Sequence, residues 1–232
     1  MQYFGGKHRI GKVIAQVIQP FITDNTLYYE PFCGSLSVTQ HIRAIHRYCS
    51  DANAPLIAMW QAIQCGWLPP ITVTEDDYRN AKAGLTPDYL TAFIGFGCSF
   101  GGKWFGGYAR GASNRNYARN AYNSIMRKRP TIVRDITFSH ADYRTLTPTA
   151  NKSVIYCDPP YQGTTQYGAV GNFDSTEFWE IMRAWGRYHT VIISEYQAPS
   201  DFTCIAEIPT KTDIRTIEGK VDRTERLFLA PQ

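Results

Sequence analysis

The chain of 232 residues and 26.3 kDa is long enough for one large domain, or for a core domain with a small one attached, and needs no disulfide or metal staple. With 44% hydrophobic and 19% charged residues and a mean hydropathy of −0.31, it reads as a soluble folded protein, neither disordered nor membrane-spanning. The net charge of +4 hides an asymmetry. Residues 89–134 contain no acidic side chain and eight basic ones (Lys103, Arg110, Arg115, Arg119, Arg127, Lys128, Arg129 and Arg134), leaving 16 basic against 20 acidic residues elsewhere. Two readings stay open for this stretch, a polyanion partner or a merely solvated basic face.

The basic start Lys7-His8-Arg9 precedes an apolar run broken by Lys12, Gln16 and Gln19, so no secretory segment is read and a cytoplasmic location is expected. Six cysteines (Cys33, Cys49, Cys65, Cys98, Cys157, Cys204) form no C-x-x-C pair and have no histidine at zinc-ligand spacing. They read as buried free thiols, and no metal site is expected.

In chain order, residues 27–35 form an apolar and aromatic run ending at a glycine turn, and residues 36–47 carry Leu36, Val38, Ile42 and Ile45 near helical spacing. Strand, tight turn and helix are expected. A short strand at 48–50 ends at Asp51-Ala52-Asn53, and Pro55 opens a helix over 56–63. This β-α-β-α order starts a parallel sheet. From 66 to 130 the character changes: Leu68-Pro69-Pro70 breaks the chain, a polar helix starts at Thr74 or Glu75, and 95–111 is dense in glycine and aromatics. Sheet signals return at Ile132-Val133, at 136–138, and in the continuous apolar run 153–157 of a buried parallel strand. A helix over 175–188, a strand over 190–194 and two late segments at 203–208 and 226–230 follow. The expected architecture is an α/β catalytic domain at 1–65 and 131–232, interrupted by a basic, mostly helical insertion at 66–130.

The sharpest chemical signal is Asp158-Pro159-Pro160-Tyr161, directly after the apolar strand. In a doubly wound sheet the ligand crevice lies outside the carboxyl ends of the strands, which places these four residues at its mouth. Two prolines stiffen the backbone that holds the carboxylate. Such a unit suits amine chemistry on a nucleobase. An exocyclic amine is a poor nucleophile because its lone pair is delocalised; the Asp158 carboxylate and the Pro159 carbonyl can accept its N–H bonds and stabilise the positive charge that develops on attack. Tyr161 offers a ring face for a base taken out of the stack. Asp51 lies 17 residues after Gly34, close to the spacing at which an acidic residue takes ribose hydroxyls in dinucleotide folds. Read alone, an ordinary turn aspartate is the favoured reading.

With these motifs in place, the whole chain resembles a DNA N6-adenine methyltransferase of the Dam-like (D12) class, most closely the small phage and prophage type. Tyr3-Phe4-Gly5-Gly6-Lys7 is similar to the N-terminal motif that touches S-adenosylmethionine, Tyr29-Glu30-Pro31-Phe32-Cys33-Gly34-Ser35 to the methionine-side loop, and Ser50-Asp51-Ala52-Asn53 to the ribose motif. Asp158, Pro159, Pro160 and Tyr161 match the catalytic motif. Residues 193–199 and Arg226-Leu227-Phe228 also look like this group. The resemblance implies a Rossmann-like methyltransferase sheet with a target-recognition insertion. It further implies S-adenosylmethionine as cofactor, with contacts from Tyr3, Lys7, Glu30, Phe32, Gly34, Asp51 and Asp158, and double-stranded DNA as partner, in the cytoplasm of a bacterial or infected host cell. The sequence departs from the family at Gly34-Ser35-Leu36, where a second glycine is common. The run Ser99 to Arg110 lies where the family keeps its target recognition; its aromatics can act as wedge or edge reader, or pack as a cluster around Trp104 and Phe105. Lys103, Arg110, Arg115, Arg119, Arg127 and Lys128 are the candidate DNA contacts. Methylation of cytosine N4 presents the same nitrogen chemistry, and a catalytically silent DNA-binding module is the non-enzyme alternative.

Overall fold

The computed structural model describes residues 1–110, 115–148, 152–161, 173–216 and 219–232, without the side chains of 211–223. Five strands pair in parallel: β1 (Leu27–Glu30), β2 (His46–Asp51), β3 (Ile136–His140), β4 (Val154–Cys157) and β5 (Thr190–Glu195). The hairpin of β6 (Thr203–Thr216) and β7 (Gly219–Leu229) joins through β7, antiparallel to β5, to give the order β3-β2-β1-β4-β5-β7-β6. Every residue of β4 and β5 is buried, as strands covered on both faces require. Alternation sorts them. Val154, Tyr156 and Ile192 join Tyr28 and the buried stripe Ile14, Ala15 and Ile18 of α1 (Gly11–Ile18), whereas Ile155, Cys157, Val191 and Ile193 pack against Phe178 and Met182 of α6 (Ser175–Gly186).

Among the described residues, four α-helices lie between β2 and β3: α2 (Ala54–Gln64), α3 (Glu75–Lys82), α4 (Asp88–Gly97) and α5 (Tyr117–Ile132). Local chemistry starts three of them. The Asn53 side chain accepts from Leu56 N with Pro55 in the first turn, Thr74 and Asp77 form a reciprocal capping box, and Asn116 accepts from Arg119 N. Their apolar faces share one cluster with the sheet: Leu56 and Trp60, Phe93 and Phe96, and Ile125 meet Cys49, Ile136 and Phe138. The described part of 66–130 thus holds α3, α4 and most of α5, and these helices share their core with the sheet.

Several local expectations fail for identifiable reasons. In place of the expected helix, residues 36–47 hold a helical turn at Thr39–His41 and the start of β2, because Gly34 and Leu36 take left-handed backbone angles (φ 44° and 56°) that interrupt a right-handed helix at its start. Ile132 closes α5 and Val133 caps it, so this β-branched pair is not a strand. The late segments are longer than expected and pair as a hairpin. All six cysteines are free, but Cys65 and Cys204 are exposed. The end of the expected glycine-aromatic run, Gly111, lies outside the described residues.

Strand order reverses at β1: β2 and β3 extend the sheet to one side, β4 and β5 to the other. At such a switch point the loops part, and a crevice opens beyond the carboxyl ends of β1 and β4.

Candidate active site

Glu30 ends β1, Asp51 ends β2 and Asp158 follows β4. All three line one cleft at the switch point, and Tyr3, Lys7, Phe32 and Gly34 line it with them. The seven residues named from the sequence for the cofactor are thus brought together.

Two turns shape the cleft. Gly34 is held from several sides: its N–H donates to Asp51 Oδ2 (3.1 Å), its carbonyl accepts from Trp60 Nε1 (2.9 Å), and Tyr3 packs so closely that a Cβ on residue 34 would meet Tyr3 Cε1 at 3.0 Å. With φ at 44°, glycine serves here for both conformation and room. Asp51 Oδ1 accepts from Asn53 N (3.0 Å). Burial raises the Asp51 carboxyl to about 6, partly offset by these two backbone donors. On β1, Glu30 Oε2 accepts from the hydroxyls of Tyr28 (2.8 Å) and Thr39; burial lifts its carboxyl to about 7 against those bonds.

The second half of the cleft is a charge cluster. Lys7 Nζ donates to Asp158 Oδ1 at 2.8 Å, lies 3.6 Å from Glu225 Oε1, and sits over the Tyr161 ring, 4.5 Å from its centroid. The Tyr161 hydroxyl donates to Glu225 Oε1, and the Tyr161 ring meets Tyr196 edge-on at 4.8 Å. The side chains of Lys7, Asp158 and Glu225 are 10%, 18% and 6% exposed. Burial pushes Asp158 above the usual carboxylate range even beside Lys7. Burial alone would lower Lys7, but Asp158 and Glu225 overturn that and raise it. Two carboxylates and one ammonium leave the cluster one negative charge in excess.

Sequence reasoning missed four residues of this site, Asp142, Tyr143, Phe173 and Glu225. Asp142, two residues past β3, lines the cleft, and Arg144 fixes both its oxygens (N to Oδ1 2.9 Å, Nη1 to Oδ2 2.9 Å) while reaching Glu177 at 2.7 Å. The same signal that marked Asp51 and Asp158, a carboxylate just beyond a strand, was present. Tyr143 and Phe173 join Phe32 in an aromatic wall, with ring centroids 5.1 and 6.4 Å from Phe32. Glu225, mid-strand in β7, gave no motif. Glu195 turns back to accept from Tyr196 N (2.7 Å).

The DNA candidates divide. Arg115, Arg119 and Arg127 are exposed along α5 and its approach, and Lys103 is exposed over the Phe4 ring at 4.9 Å. Arg110 pairs with Glu75 (2.6 Å), so an acidic residue outside the basic stretch compensates it. Lys128 is a correction: it is buried, and its ammonium donates to the Ser35 carbonyl in the loop after β1. Burial lowers its pKa to about 8. Counting charge along the chain could not show that this lysine points inward. Trp104 and Phe105 are packed, Trp104 against Phe96 at 4.7 Å, whereas Phe100 stays 70% exposed. Gly102 lets this loop press on the N-terminal arm: its carbonyl accepts from Phe4 N at 3.0 Å, and a Cβ there would meet Tyr3 N at 2.6 Å.

A seven-stranded sheet in this order, with acidic strand ends around one cleft, defines a Rossmann-like methyltransferase that uses S-adenosylmethionine. The chain is structurally similar to the 23S rRNA methyltransferase ErmE (12% identity, TM-score 0.45, 98% of this chain and 71% of that one). It is also similar to magnesium protoporphyrin IX methyltransferase from Synechocystis with bound SAM (11%, 0.43, 97% and 80%), and to precorrin-6y C5,15-methyltransferase from Geobacter metallireducens (8%, 0.43, 96% and 88%). These likenesses are loose, and the fold stands on its own strand order. No curated protein sequence matches. The chain belongs to the D12 class N6 adenine-specific DNA methyltransferase family, whose model matches residues 3–90 and 105–221. The residues present fit S-adenosylmethionine: Asp51 has acceptor capacity beyond its two backbone bonds, Glu30 offers a carboxylate near the loop after β1, and Phe32, Tyr143 and Phe173 offer ring faces.

Proposed function

We propose that the protein transfers a methyl group to N6 of adenine in duplex DNA, acting on a base turned out of the helix. The observation that carries the reading is Asp158 on its Pro159-Pro160 turn after β4, sharing a cleft with Asp51 and Glu30 and neighbouring the Tyr161 ring. The cofactor supplies an electrophilic methyl on a sulfonium sulfur. Asp51 takes the ribose hydroxyls, Glu30 the amino-acid end, and Asp142 with the wall of Phe32, Tyr143 and Phe173 the adenine ring. Asp158 and the Pro159 carbonyl accept the substrate amine N–H bonds, which pulls the nitrogen toward tetrahedral geometry and stabilises the charge it gains. Attack by the amine is direct, and the nitrogen then gives up one proton, with Asp158 as nearest acceptor.

DNA lies along the exposed cations of α5, where Arg115 and Arg127 line one groove with Asn120 and Asn123. Contacts of this kind position the duplex without reading it. Residues near Lys103 and the exposed Phe100, docked on the arm that carries Tyr3 and Lys7, are placed to contact bases or wedge the stack. A cytoplasmic enzyme has both DNA and cofactor at hand.

The test is to incubate the protein with methyl-labelled cofactor and duplex DNA, digest to nucleosides and identify the labelled one. N6-methyldeoxyadenosine is expected. Label in N4-methyldeoxycytidine makes cytosine the substrate, and unlabelled DNA refutes the reading.

A further inference from the structure

We propose that Glu225 is a positioning residue for the methyl transfer, holding the Tyr161 hydroxyl and sharing the Lys7 ammonium so that Asp158 is released to accept the substrate amine. The proposal rests on the reading of Asp158 given above. In the structure Asp158 is not ready for that task. Its Oδ1 is bound by Lys7 at 2.8 Å, and the same ammonium lies 4.5 Å above the Tyr161 ring, on a face where a base would stack. A base stacking on that face must therefore move Lys7.

A buried ammonium left without a close countercharge would be strongly destabilised. Glu225 removes that obstacle. Its Oε1 is 3.6 Å from Lys7 Nζ, so a shift of about an ångström turns this approach into an ordinary ion pair of the kind seen at 2.7–2.9 Å. Glu225 cannot drift away: β7 is paired with β5 through Ser194↔Leu227 and Glu195↔Arg226, and the Tyr161 hydroxyl donates to its Oε1. One side chain thus orients the base platform and receives the displaced cation.

Charge adds a second effect. The new N–CH3 bond forms as the S–CH3 bond breaks, so positive charge moves from sulfur to nitrogen, and the nitrogen then gives up a proton. Lys7, Asp158 and Glu225 carry one net negative charge, which favours charge arriving on the nitrogen. The groups facing Glu225 are Lys7, Asp158, Tyr156, Tyr161 and Ser194, and those facing Asp158 are Lys7, Tyr156, Cys157, Tyr161, Glu30 and Glu225.

Glu225→Gln keeps an acceptor for Tyr161 and removes the charge. With purified full-length protein, cofactor and duplex DNA, kcat is expected to fall about tenfold or more while the KM for cofactor stays within about twofold. The acid limb of the kcat profile should move to lower pH, because Asp158 loses a like-charged neighbour. Glu225→Asp, which restores the charge, should recover most of the rate. A Glu225→Gln enzyme within twofold of wild type with an unmoved acid limb overturns the proposal, as does Glu225→Asp no better than Glu225→Gln. If Glu225→Gln does not fold, Tyr161→Phe, lacking only the hydroxyl donated to Glu225, carries the kcat and KM readouts: a loss of kcat at constant KM supports the proposal, and a wild-type rate overturns it. Wild-type protein that leaves DNA unmethylated overturns the methyltransferase reading and this proposal with it, whereas active wild type with an indifferent Glu225→Gln overturns this proposal alone.

Discussion

Asp51→Ala should separate cofactor binding from folding. The carboxylate accepts from Gly34 N at 3.1 Å and Asn53 N at 3.0 Å, and burial holds it at about 6 against an ordinary 3.8. At 1.36 kcal/mol per pKa unit, keeping it ionised at pH 7.5 costs the fold about 3 kcal/mol. Alanine removes that cost but leaves two backbone donors unpaired, at about 1–3 kcal/mol each. These effects oppose each other and leave a net change between a gain of about 1 and a loss of about 3 kcal/mol, so the melting temperature should move by less than about 12 °C. Affinity has no such compensation. Losing two hydroxyl bonds to a charged acceptor, at about 1.5 kcal/mol each, weakens the cofactor Kd on the order of 100-fold. Titration calorimetry with S-adenosylmethionine and a thermal melt measure the two quantities on one preparation. A Kd changed by less than about threefold in a folded variant would refute the reasoning, since it falls below the smallest single bond counted.

Asp158→Ala, losing a preorganised acceptor worth about 3–4 kcal/mol, should lower kcat by a hundredfold or more; near wild-type rates in a single-turnover assay would remove Asp158 from the chemistry. Burial raises Glu30 to about 7, so its neutral form is the one the fold favours: its contribution to stability without cofactor is fullest below the ordinary carboxylate range and declines as pH climbs toward 7. Glu30→Gln should therefore flatten the fall in melting temperature between pH 5 and 7, and cofactor affinity, which needs the carboxylates ionised, should rise over the same interval; calorimetry and melts at stepped pH check both. Arg115→Ala with Arg119→Ala should reduce the slope of log affinity for DNA against log salt by about 0.9 for each phosphate no longer neutralised. Lys128→Met, by contrast, should leave that slope unchanged while weakening cofactor binding, because its ammonium holds the Ser35 carbonyl; a slope unaltered in the arginine pair would place the duplex elsewhere.

Much of the site was legible because one rule applies repeatedly: an acidic residue at the end of a parallel strand faces the crevice. It located Asp51 and Asp158, and motif similarity added Tyr3, Lys7 and Glu30. The rule could equally have found Asp142, overlooked because no glycine or proline punctuates the chain there. Glu225 was illegible for a different reason. It reaches Lys7 from β7, an antiparallel strand held between β5 and β6, and only the pairing of that strand sets it beside the ammonium. The strands β4 and β5 stood out because both their faces are covered. The segment after Gly34 misled because apolar spacing cannot reveal a left-handed Leu36, whose fully buried side chain keeps it in a conformation costing about 1–2 kcal/mol. Lys128 misled through its charge, since a sum along the sequence treats every lysine as solvated.

The central claim is that the Asp158 cleft methylates adenine N6 in DNA. Unmethylated plasmid, incubated with S-adenosylmethionine and either wild-type protein or Asp158→Ala, then read by long-read sequencing that reports modified bases, tests it most directly. The account predicts N6-methyladenine at one recurring sequence with the wild type and none with the variant. Modification confined to cytosine, or adenine methylation undiminished in Asp158→Ala, would contradict it.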